Sequence, residues 1–117
     1  MRHSDRGVGT ALALSMCGVL LTVGYVVTGV VAMAATQHRA AAAADLSALA
    51  GAGAAQRRQP ACDAADEVAD ANGARLVSCE DDAGVVTVEV AAASPALLGR
   101  RWESVRTARA GPAEAVR

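Results

Sequence analysis

Two cysteines carry the clearest chemistry in this sequence. Cys62 and Cys79 are the only cysteines in its C-terminal two thirds, and the loop between them is short. In an oxidising compartment such a pair forms a disulfide that contributes about 2 to 4 kcal/mol to the stability of a small domain. We predict a disulfide between Cys62 and Cys79, with two buried thiols as the alternative. Cys17 lies in an apolar stretch and is interpreted as a small hydrophobic side chain.

The other polar residues do not assemble a familiar reactive site. His3 and His38 are the only histidines, and the predicted membrane segment lies between them, which excludes a histidine-based triad or zinc site. The acidic run at residues 80–82 lacks the alternating oxygen ligands of a calcium loop. No glycine-rich phosphate loop follows a strand, and Trp102 is the only aromatic residue near the basic C-terminus. We therefore predict no enzymatic activity, cofactor, metal, small-molecule substrate or nucleic-acid partner.

A long apolar helix near the N-terminus precedes the part of the chain that contains Cys62 and Cys79. Residues 7–37 contain no charged side chain. A helix over residues 11–35, at about 1.5 Å per residue, exceeds the roughly 30 Å hydrocarbon thickness of a bilayer. Arg2 and Arg6 precede it against Asp5 alone, so the positive-inside rule favours a cytoplasmic N-terminus. The sequence predicts a single-pass protein of the cell membrane with an extracytoplasmic C-terminal domain.

Small and weakly polar residues form one stripe along this helix. Close approach of helices in a membrane depends on such residues, so the stripe is interpreted as a helix-packing surface. The alternative is that glycine and alanine are simply common in membrane helices of alanine-rich proteins. The stripe consists of Ala11, Ser15, Gly18, Thr22, Tyr25 and Gly29.

A cleavable signal peptide is the alternative to a membrane anchor. Ala32, Met33 and Ala34 satisfy the small-x-small rule for signal peptidase, and cleavage after Ala34 would release a small secreted binding protein. Cleavable signals usually have an apolar region of about seven to fifteen residues, and this one is longer than twenty. The length favours the anchor.

The remaining sequence predicts a small α+β domain that is membrane-anchored and pilin-like. The apolar helix continues into water until Gly51 and Gly53 weaken it, and its alanine and leucine surface indicates a packing strip for other helices. A second helix follows Pro60 and stops at Asn72 and Gly73. Alternating valines then indicate an antiparallel sheet of two or three strands. The predicted strands are 74–80, 85–92 and 102–110, with a turn at 80–84. The predicted segments are a cytoplasmic N-terminus (1–10), a transmembrane helix (11–35), an extended helix and joint (36–59), the α+β domain (60–110) and a tail (111–117).

Charge is unevenly distributed along this domain. Residues 61–94 are strongly acidic, whereas residues 95–117 are basic. The two segments are interpreted as solvated faces, with attraction inside the domain or between neighbouring copies as the alternatives.

Three stretches of the chain together resemble a known protein family. The first is Asp5-Arg6-Gly7 before the uncharged helix, and the second is residues 38–50 (HRAAAAADLSALA). The third combines residues 71–74 (ANGA), Cys79 and residues 108–112 (ARAGP). The pattern resembles the TadE-like pseudopilins of actinobacterial tight-adherence (Flp) pilus and secretion loci, and the resemblance covers most of the chain. It implies a membrane-inserted minor subunit that helps to assemble a pilus-like filament or a secretion apparatus, with the membrane and other pilin-like or secretion-apparatus subunits as partners.

The head of the helix departs from the type IV-like prepilin pattern in one respect. Such prepilins are usually cut after a glycine, with a glutamate a few residues inside the helix. Gly7 and Val8 therefore form a candidate cleavage site, but Leu12 occupies the acidic position. A glutamate there would neutralise the new N-terminus of a neighbouring subunit during polymerisation.

Overall fold

The computed structural model describes residues 2–96 and 99–114, with side chains described from Gly7 onward. It confirms the α+β class: two helices and one three-stranded antiparallel sheet. Residues 115–117 of the predicted tail, and Met1, lie outside the described residues. The elements are α1 (Arg2–Gln56), α2 (Ala61–Ala71), β1 (Arg75–Asp82), β2 (Val85–Ala93) and β3 (Glu103–Ala110).

The first helix is longer than expected, at 55 residues. No proline interrupts it, and neither Gly51 nor Gly53 ends it. It ends at Gln56, and Arg58 then adopts a positive φ of 58° before Pro60. By its internal contacts the chain divides into two compact units, residues 1–31 and residues 32–117. The first unit consists of helix alone in its described part.

The sheet has the order β1-β2-β3, with β2 in the centre. Val86, Val88 and Val90 alternate along β2 on one face, and all three are fully buried. This confirms the predicted alternation. A register shift between Leu76 and Ser78 interrupts the pairing of β1 with β2. Both outer strands leave one hydrogen-bonding edge unpaired in the described sheet.

The second helix packs through alanines. Ala61, Ala65 and Ala69 are its buried residues, whereas Cys62 and Val68 are half-buried. Asn72 ends the helix, and Gly73 follows with a φ of 70°, which confirms the predicted stop. Pro60 stands at the N-cap position, one residue before the helix.

The core lies between the sheet, α2 and the C-terminal part of α1. One cluster joins Ala40, Ala43 and Ala44 to Val90 and Ala92. A second cluster contains residues from the same elements farther along α1: Ala48 and Ala52 with Ala61, Ala65, Val86 and Val88. The alanine face of α1, predicted to pack against helices of other molecules, is therefore buried within its own domain. One face of α1 over residues 36–54 therefore belongs to the core of this unit.

Small side chains dominate this core. The largest fully buried side chains are three valines, Thr36 and Ser47. The Ser47 hydroxyl is buried and has no hydrogen-bond partner among the described residues. Such a core excludes little apolar area from water per residue, which is the condition under which small domains depend on a covalent cross-link or on partners.

Candidate functional site

The apolar part of α1 has no covering surface in its own unit. None of its strongly apolar stretch is buried. Large side chains such as Leu12, Leu21 and Val30 are each more than 60 % exposed. By length and composition the helix can cross a membrane. Contact with lipid would remove this apolar surface from water, where its exposure is unfavourable by about 25 cal/mol per Å².

The predicted packing stripe is accessible along its length. Ala11, Ser15, Gly18, Thr22 and Tyr25 are exposed, and Gly29 is half-buried. A Cβ atom added at Gly18 or at Gly29 would meet no other atom within 4 Å. The stripe therefore has room for a partner's backbone to approach closely, as the interpretation requires.

The hydroxyl groups of Ser15 and Thr22 in the stripe are engaged within the helix itself. Thr22 donates to the Gly18 carbonyl oxygen at 2.8 Å, and Ser15 donates to the Leu12 carbonyl oxygen at 2.9 Å. Because each hydroxyl proton has an acceptor in the preceding turn, these residues can lie in hydrocarbon without an unsatisfied donor. Ser15 and Thr22 would then promote helix association because they are small, and not because they must form hydrogen bonds between helices.

The candidate cleavage site lies within α1. Gly7 and Val8 are both helical and exposed, and a Cβ at Gly7 would meet nothing within 4 Å. Leu12, at the position where prepilins carry an acidic residue, is 69 % exposed. The helix surface here presents only apolar and small groups to a neighbour.

Cys62 and Cys79 form the predicted disulfide. Cys62 lies in the first turn of α2 and Cys79 in the middle of β1, and their Cα atoms are 5.8 Å apart. Cys79 pairs with the buried Val88 and lies on the face of the sheet that packs against the helices. The bond joins α2 to an outer strand of the sheet. Cys17 is a free, exposed thiol in α1.

One ion pair joins the acidic and basic segments in the described part of the chain. The guanidinium Nη2 of Arg75 lies 2.8 Å from Oε1 of Glu103, and the two side chains are 65 % and 52 % exposed. Arg75 pairs with Ala91 on β2, and Glu103 pairs with the neighbouring Ala93, so the ion pair crosses the central strand. An ion pair this exposed contributes at most about 1 kcal/mol. Apart from Glu89, which is half-buried, the other charged side chains that the structure describes in residues 61–114 are exposed, in agreement with the interpretation as solvated faces.

Two features of the domain were not found from the sequence. Gly51 lets α1 approach α2 and β2 closely: a Cβ there would lie 2.9 Å from Cγ1 of Val86 and 3.1 Å from the Ala61 carbonyl oxygen. Ser94 and Trp102 close the connection between β2 and β3 with two hydrogen bonds. For Gly51, the available signal was a glycine within an otherwise alanine-rich face of the helix. Nothing in the sequence indicates the hydrogen bonds between Ser94 and Trp102.

Within the described residues, no group of three histidine, cysteine, aspartate or glutamate side chains is arranged to hold a metal ion. What the chain presents is an uncovered apolar helix and a disulfide-bonded domain with charged sheet edges. No protein-family model, no curated protein and no solved structure matches the chain.

Proposed function

We propose that this protein is a non-enzymatic membrane subunit of the TadE-like pseudopilin kind. It helps to assemble a tight-adherence (Flp type) pilus or a related secretion apparatus. One observation carries the proposal: a single helix, α1, has an uncovered apolar part before residue 32 and a part buried in a small α+β domain after Thr36. In this role one helix, α1, would supply both the membrane span and part of the core of the folded domain.

The proposed topology places the domain outside the cytoplasm. Arg2 and Arg6 favour retention of the N-terminus on the cytoplasmic side. The Cys62–Cys79 bond needs an oxidising compartment to persist, which fits an extracytoplasmic domain. Both arguments give the same orientation.

In this role the membrane helices of several copies pack through the small stripe. Gly18 and Gly29 are the positions where a partner's backbone would come closest, because they are the two residues of the stripe that have no side chain. The absence of an acidic side chain at Leu12 removes the charge that would pair with a neighbour's N-terminus. Packing in this protein would then depend on shape.

A small secreted binding protein, released after Ala34, is the second candidate. One observation favours it: the buried residues of the described chain begin at Thr36, so cleavage after Ala34 would leave the whole core of the domain intact. The 32–34 motif is compatible with signal peptidase. The two candidates differ in whether the apolar part of α1 is retained.

Cross-linking of single cysteines tests the packing stripe. In a Cys17→Ala background, Ser15→Cys on the stripe is expected to form disulfide-linked dimers in membranes on mild oxidation. Leu20→Cys, on the opposite face of the helix, is expected to form several-fold less dimer, although Leu20 is 62 % exposed. The Cys62–Cys79 pair is already bonded and does not compete.

Glycine substitutions supply the matched control for this experiment. Adding Gly18→Leu should abolish most of the Ser15→Cys cross-link, because leucine separates the helices. Gly24→Leu lies on the far side of the helix, where an added Cβ also has open space, and should leave the cross-link unchanged. Equal dimer yields at positions 15 and 20, or equal sensitivity to both glycine substitutions, would contradict packing through this stripe.

A further inference from the structure

The sheet returns along α1 towards the predicted membrane boundary. Two core clusters establish the direction: Ala48 and Ala52 pack near Val86 and Val88, whereas the alanines at 40–44 pack near Val90 and Ala92. The clusters are about 12 Å apart along the helix and about 13 Å apart along β2, from the rise per residue of each element. Strand β2 therefore runs nearly antiparallel to this part of α1, and its C-terminal end points back towards residue 35.

The connection between β2 and β3 lies at that end of the domain. The Ser94 N–H donates to the Trp102 carbonyl oxygen at 2.7 Å, and the Trp102 N–H donates to Oγ of Ser94 at 2.8 Å. Ser94 is two residues beyond Ala92, a distance of about 7 Å along the strand. About four to five residues of an α-helix rise by the same distance. This brings Trp102 to the level of Thr36, the first residue after the predicted span and part of the same compact unit.

The side chains at this level suit a bilayer surface. Trp102 is the only tryptophan of the chain and remains 39 % exposed. Arg100 and Arg101 precede it; both are exposed, and neither has an ion-pair partner in the described part of the chain. Tryptophan is enriched at membrane interfaces, and arginine binds phosphate groups through its planar donor fork.

The distribution of charge along the sheet supports the same direction. The nearby carboxylate of Glu103 is engaged by Arg75, so it does not neutralise the two arginines. The acidic residues 80–82 lie by the turn between β1 and β2, at the opposite end of the sheet. An anionic membrane would attract Arg100 and Arg101 and repel the acidic residues 80–82.

We infer that Arg100, Arg101 and Trp102 form a membrane-surface contact that binds the headgroups of anionic phospholipids. The inference rests on the proposed membrane span of α1. It gives the folded domain a second attachment to the bilayer, through side chains that neither the core nor the described ion pair uses.

Fluorescence of the single tryptophan tests this contact in the full chain. The protein is reconstituted in phosphatidylcholine vesicles with or without phosphatidylglycerol, and Trp102 is quenched either by a lipid with a headgroup nitroxide or by aqueous acrylamide. In vesicles that contain phosphatidylglycerol we expect strong quenching by the nitroxide lipid and weak quenching by acrylamide. The double variant Arg100→Gln/Arg101→Gln should lose most of the nitroxide quenching.

A matched pair of arginines controls for net charge. Arg57→Gln/Arg58→Gln removes the same charge at the far end of α1 and should leave Trp102 quenching unchanged. Nitroxide quenching that is indifferent to phosphatidylglycerol and to Arg100 and Arg101 would overturn the contact. So would protection from acrylamide that rises with the protein-to-lipid ratio, because that result indicates a second copy as the partner.

Flotation separates failure of this contact from failure of the span. After an alkaline carbonate wash, a chain that no longer floats with the vesicles would refute the membrane span and this contact together. A chain that floats while Trp102 stays fully accessible to acrylamide would refute the contact alone and leave the proposed span in place.

Discussion

Replacing Gly51 with leucine is expected to destabilise the C-terminal domain by about 3 kcal/mol or more. A Cβ at this position would lie 2.9 Å from Cγ1 of Val86 and 3.1 Å from the carbonyl oxygen of Ala61. The carbonyl belongs to the start of α2, so it can move only if that helix moves. Leucine adds three further carbon atoms to this contact. Heat unfolding of the full chain in detergent, followed by Trp102 fluorescence, measures the loss.

Gly53 provides the control on the same helix. The nearest atom to an added Cβ there is Nη1 of Arg57 at 3.5 Å, the mobile end of an exposed side chain. Gly53→Leu should therefore be neutral or stabilise the domain by up to about 1 kcal/mol, because leucine has the higher helix propensity. Equal destabilisation by the two substitutions would mean that Gly51 does not serve as the close-contact point between α1, α2 and β2.

Loss of the disulfide is expected to destabilise the domain by a similar amount. The bonded cysteines are 17 residues apart, and closing a loop of that length stabilises a folded chain by about 3 kcal/mol. The effect is large because, among the residues of this domain that the structure describes, no fully buried side chain exceeds valine in size. Cys62→Ala/Cys79→Ala should lower the unfolding temperature, and a reductant should lower that of the wild type to a similar value.

Cys17→Ala controls for removal of a thiol that takes no part in the bond. It should unfold like the wild type and respond to reductant in the same way. A double variant that unfolds at the wild-type temperature, or that remains sensitive to reductant, would contradict a stabilising role of the Cys62–Cys79 bond.

Elements with strong local signals were predictable from the sequence. The charge-free stretch gave α1, Asn72 with Gly73 gave the end of α2, and the alternating valines gave β2 with its buried face. The cysteine pair could be identified because few alternatives existed: only two cysteines lie outside the apolar stretch. These features depend on residue type and spacing within a short window.

The partner of the alanine face was not predictable in the same way. A row of small residues shows that something can approach closely, but it does not show whether the partner lies in the same chain. Ala40, Ala44 and Ala48 turn out to pack against their own domain, whereas Leu46 and Leu49 stay exposed. From the sequence, Gly51 was interpreted only as a residue that weakens the helix. In the structure it is a point of close contact between α1, α2 and β2, and that contact depends on residues distant in sequence.

The turn between β1 and β2 shows a second limit of local reasoning. The acidic residues 80–82 suggested an extended turn, because aspartate and glutamate are rare in strands. In the structure these residues continue β1 up to the pair Asp82 and Val85. Ala83 and Gly84 alone make the turn, both with positive φ, and Oδ1 of Asp81 accepts a hydrogen bond from the Gly84 N–H. Pairing with β2 overrode the weak strand preference.

The intact mass of the mature protein, isolated from membrane and soluble fractions of its native cell, tests the central claim most directly. Retention of α1 as a membrane span predicts a membrane-bound chain that keeps residues 8–34 and begins at Met1 or at Val8. A start at Val8 would further support pilin-type processing after Gly7. A soluble chain that begins at Ala35 would contradict the membrane subunit and establish release by signal peptidase.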